Sequence, residues 1–300
     1  RSTRNGIFIM GCKASKVDNT ATKTGAPAPV PASAEETKQK TNLQEETKQE
    51  TETKQETELT KQETEPTKAE LPRPQVFSLM RNGHEVLRGA LIDCSEYLKA
   101  GDRANFVQAW EGFLKWMHIH ALMEDGTPDV EDTPCGVFAF LDKIADGVAT
   151  KSGLKDLHPE VDELLAKVEA AVEQWTDDTG VDAVKTLFEE FVTVNEAHLK
   201  KEEDVMMPNI GKMTKGGGDM KEAMNTNVLP LATAHADFKH FVMFAMKVLE
   251  KHAGGMPRAR VFAHALCACA TPEQWSEWEP WVASSLSTEL YTEIKPMLAT

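Results

Sequence analysis

The chain has 300 residues, 41% of them hydrophobic and 27% charged, with a net charge of −15 at pH 7. The hydrophobic share is enough for a packed core, and the acidic excess repels phosphate backbones, which sets nucleic acid aside as a partner. Residues 1–70 hold 11 Lys plus Arg against 12 Asp plus Glu, whereas residues 71–300 hold 22 against 36, so the body carries nearly all the negative charge and favours cations as ligands.

The five cysteines, Cys12, Cys94, Cys135, Cys267 and Cys269, are scattered and form no C-x-x-C pair. That pattern argues against a disulfide framework or a zinc ribbon and fits a reducing, cytoplasmic compartment. A membrane-spanning helix needs roughly 18 apolar residues in a row. The densest apolar run, "VFAHALCACA" at 261–270, falls short of it, and the first ten residues lack the apolar core of a secretory signal.

In chain order, the first feature is "MGCKASK" at 10–16, which fits an acylated N-terminus: Gly11 behind a Met, Ser15 four residues beyond it, and Cys12 adjacent. Myristate on Gly11 alone holds a membrane weakly, so palmitate on Cys12, helped by Lys13 and Lys16, would secure the protein at the cytoplasmic face. This reading requires translation to begin at Met10. From Thr20 onward the sequence turns to Ala, Pro, Thr, Glu, Lys and Gln with imperfect "EETKQ" repeats at 35 and 45. Such a stretch has no apolar residues to bury and reads as a solvated, disordered linker.

Beyond Pro74 the apolar spacing becomes helical, with scarcely any alternating pattern. Helices are predicted at about 75–99, 103–125, 159–176 and 181–206, the last ending at Pro208. Gly101 and Asp102 separate the first two, Gly180 separates the last two, and Asp156 is a candidate cap ahead of Pro159. The connection between the second and third is long, but its "VFAFLD" at 137–142 is apolar enough to pack back. Short connections make antiparallel neighbours, so the expected fold is all-α: an up-down four-helix bundle. The domain reading is a tail and linker over 1–70, the bundle over 71–212 and a helical extension packed on it over 213–300.

On that bundle, His84 starts the first helix, His120 and Glu124 end the second, His158 opens the third, and His198 and Glu202 end the fourth. All four of these helix ends lie at the same end of an up-down bundle. Each His and Glu pair is four apart and shares a helix face. A single such pair is commonplace on a solvated helix, and His158 could merely sit near a cap. Two pairs plus a histidine on each remaining helix, gathered in one layer, point to a metal site. His118 should face away from it, while His235 and His240, five apart, read as surface or core residues of a later helix.

These motifs, "NGHEVLR" around His84, "HALMED" from His120, "LHPEVDELL" at His158 and "EAHLKKEEDVMMP" from His198, resemble the hemerythrin-like, HHE cation-binding family over residues 75–210. The resemblance implies iron bound by His84, His120, His158 and His198, with Glu124 and Glu202 as bridging carboxylates. Its invertebrate oxygen carriers present two histidines four apart on the third helix. Asp162 stands at that place here, which argues against reversible oxygen carriage.

Imidazole and carboxylate suit iron, with manganese or zinc as second choices. Bridging glutamates would give each of two metals two nitrogens and two oxygens, an incomplete coordination that leaves room for an oxo or hydroxo bridge and for dioxygen or another small ligand. Asp125 and Glu203, beside the two glutamates, are candidate additional ligands or supporting groups, as is Asp162. The expected function is therefore a non-haem di-iron protein in iron or oxygen sensing, storage or delivery. No substrate pocket or nucleophile with a base can be read, so turnover ranks second, as a di-iron oxidase or peroxidase. A metal-free interaction scaffold is the third reading.

After Gly216–Gly218 the sequence predicts one helix over 231–252, a second over 258–270, and a third from "TPEQW", where Thr271 caps, Pro272 enters the first turn and Gln274 completes a capping box. Trp275, Trp278 and Trp281 fall three apart, a spacing expected of core, with a partner-docking patch as the alternative.

Overall fold

The computed structural model describes residues 78–127, 134–176, 179–215, 220–252 and 256–298. Gly11, Cys12, the repeats of the first seventy residues and the Gly216–Gly218 break lie outside the described residues.

Every regular element among the described residues is helical. Helix α1 (Ser78–Ala100) and α2 (Arg103–Asp125) form a hairpin closed by Gly101 and Asp102. The Asp102 carboxylate accepts from the Asn105 amide at 3.1 Å and caps α2. Two short helices, α3 (Gly136–Ile144) and α4 (Val148–Lys151), and a 3-10 turn at Lys155–Leu157 lead into α5 (His158–Gln174). Pro159 enters the first turn of α5, but Leu157 holds the cap position and no side chain caps it, so Asp156 does not have the capping role read from sequence. Helix α6 (Val181–Lys215) completes the four-helix set.

The long connection does fold back. Val137, Phe138 and Leu141 of α3 bury against Leu154 and, on α6, Met206 and Ile210. That packing explains why α6 runs through Pro208 to Lys215 instead of stopping at the proline. An interior proline removes one helical hydrogen bond and crowds the preceding turn. Here the apolar contacts of Met206 and Ile210 offset that cost, and the Asn209 side-chain Nδ2 donates to the Val205 carbonyl at 2.6 Å.

The two ends of the bundle differ in chemistry. Toward the start of α2 and α6 lies an aromatic cluster in which Trp110 meets Phe113 at 5.0 Å and Phe191 at 5.6 Å between ring centroids. The other end carries the histidines and glutamates. Helix α2 stops there against a tight crossing of Gly126 and Gly136, both at φ +77°. A β-carbon on Gly136 would sit 2.7 Å from the Glu124 carbonyl. Gly136→Ala is therefore expected to cost about 2 to 4 kcal/mol, measurable as a lowered urea midpoint, because both the clash and the left-handed backbone oppose it.

The remaining helices are α7 (Met220–Asn227), α8 (Leu229–Thr233), α9 (Phe238–His252), α10 (Met256–Cys269), α11 (Pro272–Ser285) and α12 (Thr288–Leu298). The single helix expected over 231–252 is broken: the His235 ring accepts from the Asp237 amide at 3.1 Å, replacing the helical partner and turning the chain between α8 and α9. The Thr271 and Gln274 capping box is present. Trp278 is buried, with its ring 5.0 Å from that of Phe238, while Trp275 and Trp281 pack at the edge of the same core. Helices α8, α9 and α10 cover the outer face of α1 and α2, so one apolar core runs through bundle and extension. No helix of the described residues is long and apolar enough to cross a membrane.

Candidate metal centre

His84, His120, Glu124, His198 and Glu202 are each at most 4% exposed, and His158 is half-buried. All six reach one small volume. His120 Nε2 lies 3.1 Å from Glu124 Oε1, and His198 Nε2 lies 2.7 Å from Glu202 Oε1, as expected for residues four apart on α2 and α6. Long-range partners join them: His84 Nε2 is 3.8 Å from Glu124 Oε1 and 3.5 Å from Glu202 Oε2, and His158 Nε2 is 3.9 Å from Glu124 Oε2 and 3.8 Å from Glu202 Oε1.

The pattern is two-sided. Glu124 turns Oε1 toward His84 and His120 and Oε2 toward His158, while Glu202 turns Oε2 toward His84 and Oε1 toward His158 and His198. Two ligand groups result, His84, His120, Glu124 and Glu202, and then His158, His198 and Glu202. Within each, one ligand atom per residue lies within 4.8 Å of the others. Metal bonds of roughly 2.1 Å place neighbouring donors about 3 to 4 Å apart, so these spacings suit one cation in each group.

The hydrogen bonding fits a cation as well. The Nε2 atoms of His84, His120 and His158, with Glu124 Oε1 and Glu202 Oε2, are buried and make no hydrogen bond. Leaving several polar atoms buried without partners is costly, and a metal ion would satisfy all of them together.

Two histidines are held from behind. His84 Nδ1 is 2.9 Å from Glu203 Oε1, which also accepts from Arg88 Nη1 at 2.8 Å. His158 Nδ1 is 2.8 Å from Asp125 Oδ2. Each carboxylate fixes its ring with Nδ1 as donor, leaving the Nε2 lone pair aimed inward. Arg88 is clamped in turn by Glu196, at 2.8 and 3.0 Å. His120 is positioned differently, by stacking on Trp116 at 5.3 Å, and Trp116 stacks on Phe241 of α9 at 4.7 Å. Arg88 lies four residues after His84 and Trp116 four before His120, so the same spacing rule that singled out the histidines also reaches these two supports. Asp162 is exposed and joins neither ligand group. His118 is exposed and faces away from the centre, His235 lies in the turn before α9, and His240 is partly buried beside Gly112.

Burial alone would depress the His84 imidazole, but Glu124, Glu203 and Glu202 outweigh it and raise it to about 9. His158, likewise opposed by burial, is raised to about 10 by Asp125, Glu202 and Glu124. Burial pushes Glu124 up, and the His120 and His84 imidazoles more than cancel that, holding it well below the usual carboxylate range. The His84 hydrogen bond, working with Arg88 against burial, brings Glu203 down to about 2.

A family model, the hemerythrin HHE cation binding domain, matches residues 75–210. Residues 75–210 are a hemerythrin HHE domain. No curated protein and no solved structure matches this chain. In this hemerythrin domain the buried cluster of histidines and glutamates has the composition and geometry of a metal site.

Within it, Glu203→Gln is expected to weaken metal binding about 10- to 100-fold while leaving the number of sites unchanged. Arg88→Met should act in the same direction with a smaller effect. Calorimetric titration with cobalt(II) measures both, and parent-like affinity in Glu203→Gln would show that the hydrogen bond to His84 has no bearing on the metal.

Proposed function

We propose that the chain is a non-haem di-iron protein that senses, stores or delivers iron, or senses dioxygen, through the hemerythrin domain. The observation that supports it best is Glu202, which belongs to both ligand groups with Oε2 toward His84 and Oε1 toward His158 and His198, while Glu124 sits in the first group and turns its other oxygen toward His158. A carboxylate serving one metal has no need of a second histidine pair on its other oxygen; a carboxylate shared between two metals does. In this reading His84 and His120 would hold one iron and His158 and His198 the other, with Glu124 and Glu202 as the carboxylate ligands.

Bound iron would supply Lewis acidity and a one-electron redox couple at a point shielded from bulk water. The chain's own contribution is to hold the donors in place. Glu203 and Asp125 keep the Nδ1 protons of His84 and His158, and the aromatic stack of Trp116 and Phe241 fixes His120. Mixed nitrogen and oxygen donors suit iron and manganese better than a thiolate-loving metal, and zinc remains compatible with them.

The test is the behaviour of the iron-loaded full chain toward dioxygen and hydrogen peroxide. A sensing or storage role predicts uptake that ends after about one equivalent per centre, since no turnover follows. Sustained consumption over many equivalents would replace this proposal with an oxidase or peroxidase.

A further inference from the structure

Between the outer face of α1 and α2 and the C-terminal helices lies a cavity of about 50 Å³. Its wall is mostly carbon and thioether, from Met80 and Met123 on one side and Met224, Phe241, Phe262 and Leu266 on the other. Of the six clustered ligand residues, only His120 and Glu124 line it. It therefore lies outside the space enclosed by the four histidines and adjoins the centre from one side alone.

Gly83 forms part of this wall. A β-carbon there would approach the Trp116 ring to 3.1 Å and His120 Nδ1 to 3.6 Å. A glycine inside a helix costs about 1 kcal/mol relative to alanine. What it provides in return is room for Trp116 and His120 at the cavity edge. The opposite wall belongs to residues beyond 210, outside the matched domain. The cavity is complete only when α7, α9 and α10 are in place.

The wall chemistry decides the guest. Thioether, aromatic and aliphatic groups cannot replace the hydration of an ion or a peptide. A single water needs roughly 10 to 15 Å³ on this scale, so the cavity suits a guest of a few heavy atoms, and dry apolar cavities of this kind take up xenon and small hydrocarbons.

We propose that the C-terminal helices and the α1 and α2 face together form a binding chamber for a small uncharged apolar molecule, which meets the centre only on its His120 and Glu124 side. Its relation to a metal rests on the di-iron reading above; the chamber itself does not.

The test uses the full chain without metal, xenon as the probe and methionine methyl groups labelled with carbon-13. Saturable xenon-induced shifts are expected at the Met80, Met123 and Met224 methyls, with Met206 and Met246 unaffected. Leu266→Phe should abolish the shifts while keeping the parent's metal content, and Gly83→Ala should weaken them. If Leu266→Phe does not fold, Gly83→Ala alone decides. Absence of shifts at those three methyls overturns the chamber, as do shifts that persist unchanged in the folded variants. Xenon shifts in a chain that binds no metal would uphold the chamber and remove the di-iron reading.

Discussion

On the di-iron proposal, changing Glu124 and Glu202 together to alanine is expected to take the chain from about two bound irons to less than about a fifth of one, since four imidazoles without a carboxylate bind a hard cation poorly. Each carboxylate reaches one histidine of each pair, Glu124 lying 3.8 Å from His84 and 3.9 Å from His158, and Glu202 3.5 and 3.8 Å from the same two rings. Either single variant should therefore weaken both positions instead of emptying one and sparing the other. The helices should persist in the double variant, because the apolar core lies along the bundle and against the extension, away from the removed groups. Metal content by mass spectrometry, beside far-ultraviolet circular dichroism, separates loss of metal from loss of fold. Unchanged iron in the double variant would contradict the assignment of these carboxylates as ligands.

Opposite pH responses of the metal-free and metal-loaded protein are the second large effect. His84 and His158 are raised to about 9 and about 10, above their ordinary value of 6.5. A group whose pKa is higher when folded adds stability that is full below its unfolded value and disappears as pH climbs through the folded value. The metal-free protein should therefore lose stability progressively between about pH 6.5 and 10. Metal binding requires the same imidazoles to be neutral, so loading displaces their protons, and affinity should rise about tenfold per metal for each pH unit across this range. Ligands drawn from four helices convert that affinity into stability. The gap in melting temperature between cobalt-loaded and metal-free protein should widen steadily from pH 6.5 to 8.5. Parallel curves would mean that the two histidines carry no protons for the metal to displace. On the acid side, Glu203 is lowered to about 2, so its contribution holds above pH 4.5 and fades toward 2.

Much of the fold could be read from periodicity. The hairpin of α1 and α2 and the pairing of α5 with α6 follow from long helical spacing joined by short connections, and the gathering of six ligand-type residues follows from helix ends sharing one end of an up-down bundle. Asp125 and Glu203 were legible because each stands next to a clustered glutamate. The features that were not legible depend on partners far away in sequence. Pro208 reads as a stop until Met206 and Ile210 are seen buried against α3. The break at His235 depends on a side chain taking a backbone amide, which leaves no glycine or proline as a signal. Helix α12 has no separate signal in the sequence, since no glycine divides it from α11. Gly126 and Gly136 look like ordinary loop glycines, and only their crossing shows why neither tolerates a β-carbon. The apolar chamber is the extreme case, since its walls come from stretches on either side of α5 and α6 in the sequence.

The most direct measurement is the anomalous scattering of a crystal of the full chain grown with iron. Two peaks about 3.5 to 4 Å apart are expected, one beside His84 and His120 and the other beside His158 and His198. A single peak served by one histidine pair, or iron bound elsewhere while the four histidines and two glutamates contact only one another, would contradict the di-iron reading.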